Sequence, residues 1–539
     1  MIPLVTAEQM RSVEAAEFAT GTTEDELSDR AALAIHKRLR ARLTPGEGVL
    51  VLTGPGNNGL DGLKVHRLLE ADGHRSSLYC WKRTDCADEQ PDLDQSLQEA
   101  AVVLDCLFGI GLTRAVEGEP AQIVRSCNQE RERRETWRHP LWVVAVDLPS
   151  GLHADTGQAQ GECVQADATI TLGFPKVGLF TGAGPGLAGE ISLEPIGLGS
   201  REVAGASVLG MERSEHVALP RRRVGSHKND NGRVLVIGGS LRYPGAPVLS
   251  ALAAHSAGAG YVTVGFPRSM LSVIGSSLLE QTLLPLPEAD VGMLGPVAVA
   301  EAREAAGGYK ALLVGNGLHR EDATVEFILS LLGVPAAQQR RGAGFAPHAR
   351  TGAQRTTQRR PVGFRASTAP AEEAQSGDLP PTVVDGDGLY ALSTREAWWE
   401  HADSVDLLTP HPGEMARLTG LDVEAVEADR LGVARSAARE WGKAVLLKGS
   451  YPVLASPAGE LEVLIEGHPE LGTAGTGDVL AGVAAFALSL GVSPVEAGRA
   501  ALVLGARAAT LATEQVGRDA VGAGDLVLAL PHARRYAKD

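Results

Sequence analysis

GVLVLTGPGNNGLDGLKVHRLLEADG, residues Gly48–Gly73, holds the pattern that decides the fold. A short run of Val and Leu is bounded by a Gly/Asn/Asp turn and followed by the helical LKVHRLLEADG, which reads as a buried strand, a tight turn and a helix. The unit recurs downstream. Ala101–Asp105 (AVVLD) runs into CLFGIGLTR and a helix near Ala121–Cys127, and Trp142–Asp147 (WVVAVD) runs into LPSGLHADTG. Upstream, Met10, Val13, Ala16 and Phe18, then Leu27, Ala31, Leu33 and Ile35, recur at helical intervals between Thr6 and Leu43. Strands alternating with helices predict a parallel, doubly wound α/β sheet whose ligands sit at the carboxyl ends of its strands.

Near Leu198–Arg223 the pattern weakens, passing into the arginine-punctuated RSEHVALPRRRVGSHKNDNGR. A chain of 539 residues is too long for one ordinary core, so the boundary is placed here, with one unit at 1–212 and a second at 213–539. The second series starts at Arg233–Gly238 (RVLVIG). It continues through Tyr261–Gly265, Ala311–Gly315, Thr382–Asp385, Asp406–Thr409 and Ala444–Lys448. One stretch interrupts it: Ala336–Pro381, rich in Arg, Gln, Thr, Gly and Pro, is expected to be a disordered insertion.

Composition bounds the function. A net charge of −16 argues against a general nucleic-acid binder, because phosphate backbones select basic surfaces. The five cysteines, Cys80, Cys86, Cys106, Cys127 and Cys163, show no CxxC pair and no Cys/His metal spacing, so reduced thiols are expected. No basic segment followed by an apolar one opens the chain, and no apolar run reaches membrane-spanning length. A cytoplasmic homo-oligomer with neither nucleic-acid nor membrane partners is the expectation.

In the second half, LGTAGTGDVLAG (Leu471–Gly482) reads as a phosphate cradle. Small residues at Gly475 and Gly477 let backbone N–H groups approach phosphate oxygens, and the helix starting near Asp478 aims its positive end at them. Asp478 is placed to take a proton from a substrate hydroxyl, making that oxygen a nucleophile toward phosphorus. Lys448, at a strand end beside Gly449 and Ser450, is placed to neutralise a nucleotide phosphate. His411 sits between two prolines in TPHPGE, with Glu414 at a helix start, while Asp385 and Asp387 follow a buried strand.

These segments, with GRVLVIGGSLRYPGAPVLSALAAHSAGAGYVTVG (Gly232–Gly265), resemble the ADP/ATP-dependent NAD(P)H-hydrate dehydratase family, a branch of the ribokinase-like fold. The resemblance covers roughly residues 224–535 apart from the insertion. It implies that the ring hydroxyl of hydrated NADH or NADPH is phosphorylated and that phosphate then leaves, restoring the nicotinamide. It also implies that Lys448, Gly449, Ser450, Tyr451, Pro452 and Gly477 hold ADP or ATP, and that Ala257, Gly258, Gly317, His411 and Asp478 meet the hydrate. A Mg2+ ion on the phosphates is expected on charge grounds. One departure is plain: the family usually has Gly-Pro-Gly-Leu-Gly where this chain reads Gly315-Asn316-Gly317-Leu318-His319.

In the first half, GPGNNGLDG (Gly54–Gly62) adds amide and carboxylate oxygens to a phosphate-type loop, which suits a hard cation or ribose hydroxyls. Asp105 and Asp147 end neighbouring strands, and two such carboxylates are costly together unless a cation or proton lies between them. With GFPKVGL, these motifs resemble the NAD(P)H-hydrate epimerase family over about residues 1–200. That family interconverts the R and S hydrates, of which the dehydratase takes only the S. The resemblance implies a K+ ion on Asn58, Asp105 and Ser150. It also implies substrate contacts from Asn57, Asn58, Gly59, Leu60 and Asp61 and from Gly109, Ile110, Gly111, Leu112, Thr113, Arg114 and Ala115, with Asp147 binding substrate and acting as base. The fold implied for the chain is thus a Rossmann-like doubly wound domain followed by a ribokinase-like α/β domain.

This chain has Leu60 where the epimerase family has glycine, and Ser28 and Ala32 where it has methionine and glycine. A ribokinase-like small-alcohol kinase fused to a non-catalytic nucleotide-binding module is the alternative; TPHPGE and the partner domain weigh against it.

Overall fold

The computed structural model describes residues 1–44, 46–83, 86, 90–203, 205–335 and 379–535. Among the described residues, seventeen strands form two sheets. They are β1 (Ile2–Pro3), β2 (Gly48–Thr53), β3 (Arg75–Cys80), β4 (Val102–Cys106), β5 (Trp142–Val146), β6 (Ala168–Leu172), β7 (Glu190–Glu194), β8 (Val208–Met211) and β9 (Arg233–Ile237), then β10 (Tyr261–Pro267), β11 (Thr282–Leu286), β12 (Ala311–Val314), β13 (Thr382–Val384), β14 (Val405–Leu408), β15 (Ala444–Leu447), β16 (Val453–Ala455) and β17 (Leu461–Leu464).

The first sheet runs β3-β2-β4-β5-β6-β7 and is parallel throughout. Its strand order reverses between β2 and β4, and ligand crevices open at such a reversal. Helices cover both faces, so β4 and most of β2 and β5 are buried along their whole length, as their unbroken Val/Leu runs require.

The second sheet runs β1-β8-β17-β16-β15-β14-β13-β12-β9-β10-β11. Strands β9 to β15 are parallel, and the reversal falls between β9 and β12. Each strand expected from Arg233 onward is present within about two residues of its expected bounds. The division expected at 212/213 does not follow the sheets: β8 pairs with β17, and β1 pairs with β8. One apolar core then runs on from Leu148, Leu152, Val177 and Phe180 of the first half into Val208, Tyr451 and Ile465.

Of the expected insertion, residues 336–378 lie outside the described residues. Leu379–Pro381 lead directly into β13, with Leu312 N donating to Pro381 O. The reduced-thiol expectation is corrected at one pair, because Cys80 and Cys86 form a disulfide. The chain after β3 brings them to a Cα–Cα distance of 6.5 Å, within bonding reach, while Cys106, Cys127 and Cys163 are free thiols. Among the described residues no helix is long and apolar enough to cross a membrane.

Candidate active sites

In the second sheet the crevice between β9 and β12 is closed at its floor by Gly239 N donating to Asn316 O at 2.9 Å. Four neighbouring strand ends and a helix bring their polar groups here. Asp385, just past β13, is buried and fully occupied: Oδ1 accepts from Lys448 Nζ (2.7 Å) and Thr409 Oγ1 (2.8 Å), and Oδ2 from the Asn316 amide (3.0 Å). Asp478 lies in the first turn of the Thr476–Ser489 helix, which begins after Gly475 in the left-handed region. Its Oδ1 accepts from the same Asn316 amide at 2.6 Å. Burial, reinforced by the Asp385 charge, pushes the Asp478 carboxyl up to about 7 against the lowering effects of Asn316 and Lys448.

Lys448 is turned inward, to Asp385 and within 3.9 Å of Glu414, and does not project free into solvent. Burial favours the neutral amine, but the Asp385 and Glu414 charges outweigh it and the pKa is raised. Burial pushes Glu414 up to about 7. His411 caps the Pro412–Thr419 helix: its Nδ1 accepts from Gly413 N at 3.0 Å while Glu414 accepts from His411 N at 2.8 Å. That makes Nε2 the protonated ring nitrogen. Burial, then Lys448, lowers its pKa.

Two expected hydrate contacts are not brought to this crevice. Ala257 and Gly258 end the Gly245–Ala257 helix, roughly 16 Å from its first turn. Ala257 is fully buried, and the carbonyls of this pair accept from Arg534 and Arg222. The opposite end of that helix lines the crevice instead. A Cβ at Gly317 would lie 2.8 Å from Tyr243 Cβ and 3.0 Å from Ala246 Cβ, so Gly317, at φ +68°, lets the two segments close on each other. The apolar periodicity of 245–257 marks a helix but not which end meets the strand ends. On the other side Lys448, Gly449, Ser450, Tyr451, Pro452 and Gly477 line a cleft of about 1260 Å³, whose far wall is built by Arg38, Trp142 and Gly189–Pro195 of the first half.

In the first sheet the Asn57–Ala71 helix starts directly after Gly56, and a cleft of about 700 Å³ opens beside it. Asn57, Asn58, Leu60 and Asp61 line this cleft, as do residues 109–114; Ala115 is exposed and does not. Gly59 faces the other way, where a Cβ would sit 2.0 Å from Gly54 O. Leu60 does not reorient the turn: its N–H donates to Gly56 O at 3.2 Å and its side chain reaches the cleft. Asp61 accepts from Ser28 Oγ at 2.6 Å, and burial pushes its carboxyl up to about 7.

Asn58, Asp105 and Ser150 converge behind the cleft. Asn58 Nδ2 donates to Phe108 O (3.0 Å) and Val146 O (3.2 Å), leaving its Oδ1 buried without a partner. Asp105 accepts from Ser150 Oγ at 2.6 Å and Ser150 N at 2.8 Å, and burial, opposed by these bonds, sets its pKa at about 6. Asp147, held at φ +69°, pairs with Lys176, which is fully buried and also donates to Leu172 O at 2.9 Å. The cation that Asp147 requires is therefore a lysine of GFPKVGL. Its one charge inside an apolar run was the available signal.

Residues 234–334 and 365–532 match the family model described as NAD(P)H-hydrate dehydratase, and residues 24–90 and 81–178 that described as YjeF-related protein N-terminus. Bifunctional NAD(P)H-hydrate repair enzyme Nnr of Moorella thermoacetica is 34% identical over 523 residues, covering 91% of this chain and 88% of that one. The chain belongs to the bifunctional NAD(P)H-hydrate repair enzyme family. The namesake from Thermofilum pendens is 30% identical, covering 96% of this chain and 93% of that one. ADP/ATP-dependent NAD(P)H-hydrate dehydratase from Bacillus subtilis, co-crystallised with ATP/Mg2+, is a similar solved structure. It has 24% identity and a TM-score of 0.43, covering 59% of this chain and 94% of its own. A ribokinase-like superfamily protein from Enterococcus faecalis has a TM-score of 0.45 at 20% identity, covering 62% of this chain and 98% of that one. Membership in the repair-enzyme family sets aside the small-alcohol kinase with a non-catalytic module.

Proposed function

We propose that residues 1–212 carry epimerisation of the R and S hydrates of NADH and NADPH, and residues 213–539 the nucleotide-dependent dehydration of the S hydrate. The observation that carries the second half is Asp478: one oxygen is bound to Asn316 and the other is left free at a helix N-terminus beside Lys448. In the reading this supports, Asp478 takes the proton of the ring hydroxyl as that oxygen bonds to the terminal phosphorus of ADP or ATP. The bond from that phosphorus to its bridging oxygen breaks, and the electron pair leaves with the nucleotide. In the second step the ring C–O bond breaks with phosphate leaving, a proton is lost from the adjacent carbon, and the double bond of the reduced nicotinamide is restored.

Lys448–Pro452 and Gly477 hold the nucleotide on the cleft side, and Tyr243, Ala246, Gly317 and His411 form the hydrate side, where His411 Nε2 is a donor. Among the described residues no cluster of three or more His, Cys, Asp or Glu side chains is spaced to hold a metal ion. Mg2+ on the nucleotide phosphates would neutralise oxygen charge there.

In the first half Asp147, oriented by Lys176, is the base. The orphaned Oδ1 of Asn58 fits a K+ ion held with Asp105 and Ser150, which would offset buried carboxylate charge behind the cleft. Self-association is part of the proposal, and sedimentation velocity measures it.

The central test supplies hydrated NADH or NADPH, as either epimer, with ADP or ATP and follows the return of reduced-nicotinamide absorbance. Return from the S hydrate only with nucleotide, and from the R hydrate only with an intact first unit, is the expected result. No return from either epimer sinks the proposal.

A further inference from the structure

Two carboxylates, Asp385 and Asp478, meet at the reversal of the second sheet, and one side-chain amide lies between them. Asn316 is 1% exposed. Its Nδ2 donates to Asp478 Oδ1 at 2.6 Å and to Asp385 Oδ2 at 3.0 Å. The amide nitrogen is the donor to both, the carboxylate oxygens accepting. Its side-chain oxygen Oδ1 is buried with no partner, so the two carboxylates are the hydrogen-bond partners of this side chain.

We infer that Asn316 is a positioning residue for dehydration: it clamps Oδ1 of Asp478 to Asp385 and so presents Oδ2 to the substrate hydroxyl. The division of labour follows from bond counting. Asp385 has both oxygens occupied, by Lys448, Thr409 and Asn316. Asp478 accepts through Oδ1 only, so its other oxygen is the one able to receive a proton. Without the amide, Asp478 would keep Lys448 nearby but lose its hydrogen-bond donor toward Asp385, and like charges so placed favour protonation of one. The groups facing Asp478 are then Asp385 and Asp387, which raise its pKa, and Lys448 and Asn316, which lower it. This amide stands where the family pattern Gly-Pro-Gly has a proline, a residue with no side-chain donor.

The inference rests on the reading of Asp478 as base, and one experiment separates the two. The pH dependence of kcat/KM for nucleotide-dependent dehydration is measured on the full chain and on Asn316→Ala, Asn316→Pro and Asn316→Asp. A charge-assisted hydrogen bond lost from the base shifts the acid limb upward by about one pH unit in the Ala and Pro variants. Asn316→Asp, which adds a third carboxylate, shifts it further. The rate at pH 6 then falls roughly tenfold more than the rate at pH 8.5. Epimerisation by the first unit serves as the folding control, and the Pro variant, which restores the family motif, covers a misfolded Ala variant. A lower rate with an unmoved acid limb overturns the positioning role and leaves Asp478 as base. Absence of an acid limb in the parent chain, or of dehydration altogether, overturns the base assignment and the inference with it.

Discussion

Asp478, half-buried at a helix start, and Lys176, fully buried, are ionisable groups whose environments set opposite experimental consequences. The Asp478 carboxyl, pushed up to about 7 by burial, must lose its proton to act, so dehydration is expected to rise as pH increases through about 7. Asp478→Asn removes the base and should lower kcat by about 100-fold or more, with epimerisation unaffected. The same shift runs against stability. Between the ordinary carboxylate range and about 7, the unfolded chain has released this proton and the folded chain has not, so stability falls as pH rises through that window. Asp478→Asn should therefore melt higher than the parent at pH 8 and alongside it at pH 4. Lys176 behaves as half of a pair. Lys176→Met strands the Asp147 charge and should cost about 3–5 kcal/mol in denaturant unfolding, most of which the double variant with Asp147→Asn recovers.

Among the elements, the Asn57–Ala71 helix shows how a loop motif is built into a site. Its first turn rests on the strand-end loop after β2 so closely that only a hydrogen fits at Gly59. A methyl there would require a backbone shift, moving Asn58 away from Phe108 O and Val146 O. Gly59→Ala is expected to abolish epimerisation while nucleotide-dependent dehydration of the S hydrate persists; an active epimerase in that variant would show that the loop has slack. The neighbouring Leu60 is different in kind. Its backbone is ordinary helix, so the replacement alters only the cleft wall and not the course of the chain.

At the scale of the whole molecule the two halves are not beads on a string. Tyr451 belongs to the segment proposed to hold nucleotide, yet its ring packs edge-on against Phe180 and its hydroxyl donates to Gly189 O of the first half. Tyr451→Ala is expected to cost about 3–5 kcal/mol by opening a cavity between the halves, and to raise the KM for nucleotide while the KM for epimerisation stays within twofold. Calorimetry together with the two assays checks it; an unchanged nucleotide KM would detach the interface from the nucleotide segment.

Much of this protein was legible in its residues. Val/Leu runs closed by Gly, Asn or Asp marked β2, β4, β5, β9, β10, β12, β13, β14 and β15 within about two residues, because a strand buried on both faces must be apolar along its length, whereas the parallel β3, β6, β7 and β11, whose runs are interrupted by Ser, Thr, Glu or Pro, went unmarked. The loops after those strands, and with them Asp105, Asp147, Asp385, His411 and Asp478, were legible for the same reason: turn residues sit at the carboxyl ends where ligands bind. Local pattern carried no information about pairing across long separations. The joining of β1 to β8, the packing of Tyr451 on Phe180, and the choice of the Tyr243–Ala246 end of a helix over Ala257–Gly258 all depend on which surfaces meet in three dimensions. The partners of the charges were settled there too. Lys176 and Asn316 read as a lone lysine and a replaced proline, and only the folded chain sets each against the carboxylate it holds.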